Sequence, residues 1–232
     1  MKIAAKMILC LAFLMGCQAS GIRDYWNTLP LLEDDIRLSE DRFADFAELA
    51  VKAPEADALT AIDVLFDKLK KDSVAYYVYS DWIDAPFYSV FSPCRNATLY
   101  NKAVERIVTD AVLQTDECEP FLKRREWIGY NRPGDKAVVP GRSPITERTL
   151  VLVLDLSCSS CQKALEKLSS DPEWAGTRHL AVCFGPEAHP VHPDWEFLFD
   201  NNSAAIFDPQ LTPIYFVVAA DGSVEKGYTL AF

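Results

Sequence analysis

Cys158-Ser159-Ser160-Cys161 is the stretch of this chain best equipped for chemistry. Two thiols separated by two residues can exchange with a disulfide: the first attacks, and the second, one helical turn further on, displaces it from the mixed disulfide. The local sequence favours that use. The motif follows the apolar run Leu150 to Leu156 (LVLVLDL), which reads as a strand buried on both faces, and precedes an amphipathic stretch from about Cys161 to Leu168. A cysteine at the first turn of a helix meets unpaired backbone N–H groups and the positive end of the helix dipole, which favour thiolate over thiol. Cys158 is therefore the expected nucleophile and Cys161 the resolving thiol, with Ser159 and Ser160 as their neighbours in the spacer. Asp155 is expected either to assist proton transfer or to oppose ionisation of Cys158 by like-charge repulsion. An inert structural disulfide would also fit the spacing. A metal site needs further ligands, and the sequence contains neither a second CxxC nor an HxxxH, so no metal is expected.

The elements that must hold this motif change character along the chain. From Asp24 to about Arg125 the apolar spacing is helical. Ser39 reads as an N-cap for a helix burying Phe43, Phe46, Ala47, Leu49 and Ala50, ended by Pro54. Ala58 to Leu69 carries a stripe of Leu59, Ile62, Leu65, Phe66 and Leu69, and the tyrosine-rich Val74 to Trp82 also reads as helix. Leu99 to Leu113 turns Leu99, Ala103, Val104, Ile107, Val108 and Ala111 inward. Between Asn131 and Thr149 three prolines and two glycines interrupt all periodicity and mark a boundary. Beyond it come Leu150–Leu156, the motif helix, a second strand at Arg178–Phe184, a short helix or loop at Trp195–Asp200, and a third strand at Ile214–Ala220. An Asp221-Gly222 turn then leads to a last strand near Val224–Thr229. That order predicts a small α/β domain preceded by a mostly α-helical one.

The first residues read as an address. Lys2 and Lys6 precede the apolar core Met7–Met15, which is too short to span a hydrocarbon layer of ~30 Å. The following Leu14-Met15-Gly16-Cys17 resembles a bacterial lipobox, which implies cleavage after residue 16 and diacylation of Cys17. Residues 17–23 then form a short tether, and the protein is expected in the cell envelope, lipid-anchored, at the outer membrane facing the periplasm. An oxidising compartment is one where disulfide chemistry persists. The net charge of −11 argues against nucleic acid as a partner.

Two segments together, LDLSCSSCQKALEKL and LTPIYFVVAADGSV, resemble the thioredoxin superfamily in its TlpA/ResA-like branch. The resemblance implies a central mixed sheet flanked by helices, with Pro213 as the cis-proline facing the dithiol and Thr212 as the residue whose backbone pairs with substrate. Asp24-Tyr25-Trp26, SPCRNATLY at Ser92–Tyr100 and the junction Lys123–Ala137 resemble a group of Bacteroides-type lipoproteins. In that group a helical domain of unknown function precedes the thioredoxin-like domain. On this pattern residues 24–130 are the helical domain and 131–232 the thioredoxin-like one, without the terminal helix usual in the family. Ser157 replaces the family's tryptophan and Leu152 its buried acid. The resemblance implies a membrane-anchored thiol–disulfide oxidoreductase without a dissociable cofactor. Its partners would be the thiols or disulfides of exported proteins, or a membrane redox partner. The competing reading is a redox-inactive binding or scaffold lipoprotein on the same fold.

Cys94 and Cys118 are either bridged or two buried thiols. Cys183 lies in an apolar strand and reads as a small core residue. His189 and His192, in a proline-rich loop, read as solvated rather than ligating. Trp26, Tyr76, Tyr77, Tyr79 and Trp82 read as core rather than as a ligand cage.

Overall fold

Residues 21–142, 144–185, 192–200 and 202–231 are described by a computed structural model. The leader, Cys17 and His189 lie outside these residues. The chain divides into two compact units between Leu122 and Lys123.

The first unit is built from helices α1 (Ile36–Lys52), α2 (Glu55–Leu69), α3 (Ser73–Trp82) and α4 (Ala97–Thr109), with a π-helical turn at Asp84–Tyr88. Helix α5 (Thr115–Gly129) carries the chain across the division. Side-chain oxygens cap three of the helices: Asp35 accepts from the Arg37 N–H, Asp72 from Ala75 and Asn96 from Leu99. Each cap is worth about 1 kcal/mol.

Asp35, not Ser39, thus starts α1. The buried Ser39 hydroxyl instead accepts from the backbone N–H of Glu33, tying down the incoming chain. The earlier onset of the helix leaves Leu49 on its outer side, 47% exposed. Helix α4 stops at Thr109 because Ala111 turns to φ 54°, and Val108 and Ala111 are exposed rather than inward.

The expected helical spacing from Asp24 also fails at its start, since no helix forms between Asp24 and Asp35. Residues 22–31 are held by side chains instead. Trp26 is fully buried against Phe46 and Tyr79, and the Lys68 ammonium donates to the carbonyls of Trp26 and Leu29. Packing begins at the buried Ile22, and Arg23 pairs with Asp57, so the far end of the expected tether is part of the folded unit.

Arg106 is the electrostatic hub of this unit. Its mostly buried guanidinium meets Asp63 at 3.0 Å, Asp67 at 2.6 Å and Asp110 at 3.2 Å. Asp110 is buried and also accepts a 3.3 Å hydrogen bond from the Tyr76 hydroxyl. Replacing Arg106 by leucine takes a guanidinium from the buried Asp110, leaving it Lys70 and Tyr76, and chemical denaturation is expected to show a loss of about 2 kcal/mol.

The second unit is a five-stranded mixed sheet in the order β3-β2-β1-β4-β5, with β1 (Thr149–Asp155), β2 (Arg178–Phe184), β3 (Glu196–Phe199), β4 (Ile214–Val218) and β5 (Val224–Leu230). Strands β1, β2 and β3 run parallel, β4 runs antiparallel to β1, and β5 antiparallel to β4. Helix α6 (Ser159–Ser170) connects β1 to β2, as a parallel pair requires.

Alternation along β1 sends Leu150, Leu152 and Leu154 into one core with Ala164, Leu165 and Leu168 of α6 and with Trp174 and Trp195. Val151 and Val153, on the opposite face, are equally buried. On that face Phe207 packs against Phe216, and Tyr228 meets both rings edge-on. At the β4–β5 turn Gly222 adopts φ 81°, and the Asp221 carboxylate accepts from the Ser223 N–H.

Trp195–Asp200, expected as a short helix or loop, contains edge strand β3 instead. Its four residues, Glu196–Phe199, are too few to display a period, and pairing with Leu180–Cys183 of β2 decides their conformation.

Candidate active site

Strand β1 ends at the motif. The Asp155 carboxylate accepts from the Ser157 N–H at 2.8 Å and from the Ser157 hydroxyl at 2.7 Å, which fixes the tight turn out of the strand. Gln162 braces the same turn by donating its amide to the Leu156 carbonyl at 3.0 Å. Cys158 follows as the N-cap residue of α6, with an extended backbone at φ −88° and ψ 122°. Ser159 and Ser160 open the helix, both exposed, and Cys161 sits in its first turn with no exposed surface.

This placement makes the two thiols unlike. Cys158 is half-buried, and its pKa lies below that of an ordinary thiol. The first cause is the backbone N–H of Cys161, followed by the Cys161 thiol, with smaller help from the N–H and hydroxyl of Ser160. These are the donors of a helix start, which favour a thiolate at the N-cap position. Cys161 is pushed up to about 11, first by burial. The backbone N–H of Asp155, 3.4 Å from its sulfur, opposes that shift, the neighbouring Cys158 adds to it, and the Thr212 hydroxyl eases it. Both sulfurs are free thiols. At neutral pH the arrangement keeps the proton on the buried Cys161. Asp155 acts here through its backbone N–H and through the turn its carboxylate holds.

Thr212 and Pro213 reach the same place from the other side of β1. Ile214 pairs with Val153, so continuing the antiparallel register brings Pro213 beside Leu154 and Thr212 beside Asp155. The Thr212–Pro213 peptide bond is cis, Pro213 is buried, and the Thr212 hydroxyl donates to the Pro209 carbonyl at 3.0 Å. Five residues singled out in the sequence, Asp155, Cys158, Cys161, Thr212 and Pro213, thus meet at one end of the sheet.

The sequence gives no sign of the cleft of about 130 Å³ beside them, lined by Leu154, Leu156, Cys161, Gln162, Leu165, Glu166 and His192. Gln162 and Glu166 were legible only as exposed helix positions. The Thr212 hydroxyl is among the groups that hold the Cys161 pKa down, so Thr212→Val is expected to lengthen the lifetime of a mixed disulfide on Cys158 roughly threefold. Quenched-flow trapping measures it.

The other cysteines take no part. Cys94 and Cys118 are both buried and free, so of the two expectations the unbridged one holds. Burial raises the pKa of both. Cys183 is a core residue pushed up to about 12 by burial. Among the described residues no three His, Cys, Asp or Glu side chains converge as a metal ion would require. The His192 ring accepts from the Asp194 N–H at 3.3 Å.

A mixed sheet with β1 central, a helix starting on the first cysteine of a CxxC, and a cis-proline strand beside it make up a thioredoxin-like fold. The chain is similar to a thioredoxin-like protein from Bacteroides caccae whose crystal structure is known. The two superpose with a TM-score of 0.70 at 17% sequence identity, over 92% of this chain and 89% of that one. At that identity the likeness is one of fold. No protein-family model and no curated protein matches the chain.

Proposed function

We propose that this protein is a thiol–disulfide oxidoreductase of the cell envelope, held to the membrane through a lipid on Cys17 and acting on the disulfides or thiols of exported proteins or of a membrane redox partner. The finer kinship with TlpA/ResA-like lipoproteins belongs to the same proposal. One observation carries it: the first thiol is half-buried at the start of α6, where the helix lowers its pKa, while its neighbour is fully buried in the first turn. That asymmetry assigns the order of events.

The Cys158 thiolate attacks one sulfur of a partner disulfide. A Cys158–partner disulfide forms, the partner S–S bond breaks, and the released thiolate takes up a proton. Cys161 then gives up its proton and attacks the Cys158 sulfur, expelling the partner's second thiolate. Two electrons have passed to the partner, and Cys158 and Cys161 end joined. Run backwards, the same steps oxidise a dithiol. Thr212, the residue before the buried Pro213 and next to the thiols, is the one whose backbone would pair with an extended partner segment.

The test is to mix the reduced protein with an oxidised disulfide peptide at neutral pH and follow the masses of both. Reduced peptide together with a Cys158–Cys161 disulfide is the expected result. A pair that stays reduced while the peptide stays oxidised, across peptides and potentials, rejects exchange and leaves the scaffold reading.

A further inference from the structure

The helical unit holds a cavity of about 370 Å³ between α1, the C-terminal end of α3 and the segment following the π-helical turn. That size lies within the range of small-molecule sites. The exchange chemistry proposed above makes no use of it. Its floor is aromatic: Phe43, buried, lies roughly parallel to Trp82 with ring centroids 6.3 Å apart. Trp82 is only half-buried, so it is not the core residue its sequence context suggests, and Phe91 stands on the wall with 63% of its surface exposed. Such a large aromatic left open beside a concave aromatic floor offers apolar area and π-faces to a ligand.

The charged groups on the lining are all of one sign. Glu40 and Glu48 stand at the mouth, both exposed. Glu48 shares a 3.3 Å exposed ion pair with Lys52, a contact that contributes little, and Glu40 has no ion-pair partner among the described residues. Cys94, on the inner wall, is a neutral thiol at ordinary pH because burial and then Glu48 raise its pKa. Aromatic faces below and carboxylates above repel anions and attract a cation that also has apolar surface to bury.

We infer that this cavity is a binding site for a small organic cation, an amine or quaternary ammonium carried on an apolar body. Calorimetric titration of the full chain with benzyltrimethylammonium, phenylacetate and benzyl alcohol tests it. Saturable one-to-one binding of the cation is expected, with no saturation by the anion and weaker binding of the alcohol. The double variant Glu40→Gln, Glu48→Gln is expected to weaken the cation roughly fivefold. Ala44→Trp, a change at an exposed position on the cavity wall, is expected to abolish binding with an unchanged unfolding midpoint.

The inference is overturned if no ligand saturates, if the anion or alcohol binds as well as the cation, or if the glutamine variant binds as tightly as the parent. Binding that survives Ala44→Trp overturns it too. Should that variant fail to fold, the glutamine variant, altered only at exposed positions, decides.

Discussion

Replacing Cys158 by serine is expected to lower the rate of thiol–disulfide exchange by about three orders of magnitude or more, whereas Cys161→Ser leaves the first attack intact and stops the second. The difference follows from where the helix begins. Cys158 is the N-cap residue of α6, and the N–H groups of the helix start lower the pKa of its half-buried thiol, so the thiolate forms at a lower pH. A serine hydroxyl at the same site stays protonated, and none of the other described cysteines outside the motif replaces the lost nucleophile: Cys94, Cys118 and Cys183 are buried and raised in pKa. Cys161→Ser instead accumulates a covalent Cys158–partner adduct, because the displacing thiol is gone. Stopped-flow rates with a disulfide reporter, and non-reducing gels of the Cys161→Ser adduct, separate the two effects.

Trp174→Ala is expected to destabilise the α/β unit by about 3–5 kcal/mol, the largest stability effect anticipated here. Trp174 lies in the turn after α6 and is 1% exposed. Its ring meets Tyr215 edge-on at 5.8 Å and carries Arg148 and Lys226 over it at 5.6 and 5.7 Å. Truncation leaves a cavity, removes an aromatic pair and strips a ring from two cations.

The same cluster encloses Cys161. Water entering it relieves the desolvation that raises the Cys161 pKa, which is then expected to fall toward the ordinary thiol value. Hydrogen exchange of the β1 and β2 amides reads this unit apart from the helical one. Trp174→Phe keeps most of the volume and is expected to cost less.

How much of this was legible beforehand depended on how locally each feature is encoded. Leu150–Leu156 announced β1 because a continuous apolar run has one outcome in a sheet covered on both faces, and Arg178–Phe184 announced β2 for the same reason. Cys158 and Cys161 were legible as a pair because their spacing and the helix start fix their roles together. The cis bond at Pro213 followed from resemblance alone, since no periodicity encodes it.

What failed was encoded by distant partners. Ser39 has the right chemistry for a cap, but Asp35 lies earlier and Ser39 is claimed by Glu33. Residues 22–31 look helical in spacing yet are pinned by Trp26 and Lys68 to other elements. Strand β3 exists because β2 offers an edge. At Asp155 both expected roles concerned its carboxylate, whereas its backbone N–H reaches the Cys161 sulfur and the carboxylate binds Ser157. Backbone donors leave no mark in a sequence. The Trp82 cavity was hidden for a similar reason: an aromatic at helical spacing reads as core, and only the chain packed beside it decides how much of the ring is left open.

The central claim is that the fold makes Cys158 the acidic, reactive member of an asymmetric dithiol. The most direct measurement is the pH dependence of Cys158 alkylation in the folded, reduced protein, with the modified residue identified by mass spectrometry. Only the thiolate reacts, so the rate rises with pH through the pKa. The account predicts an inflection for Cys158 below that of an ordinary cysteine, and for Cys161, measured in Cys158→Ser, an inflection above it, because burial, the first cause of its shift, remains. A Cys158 inflection at or above the ordinary value, or a Cys161 that titrates first, would contradict it.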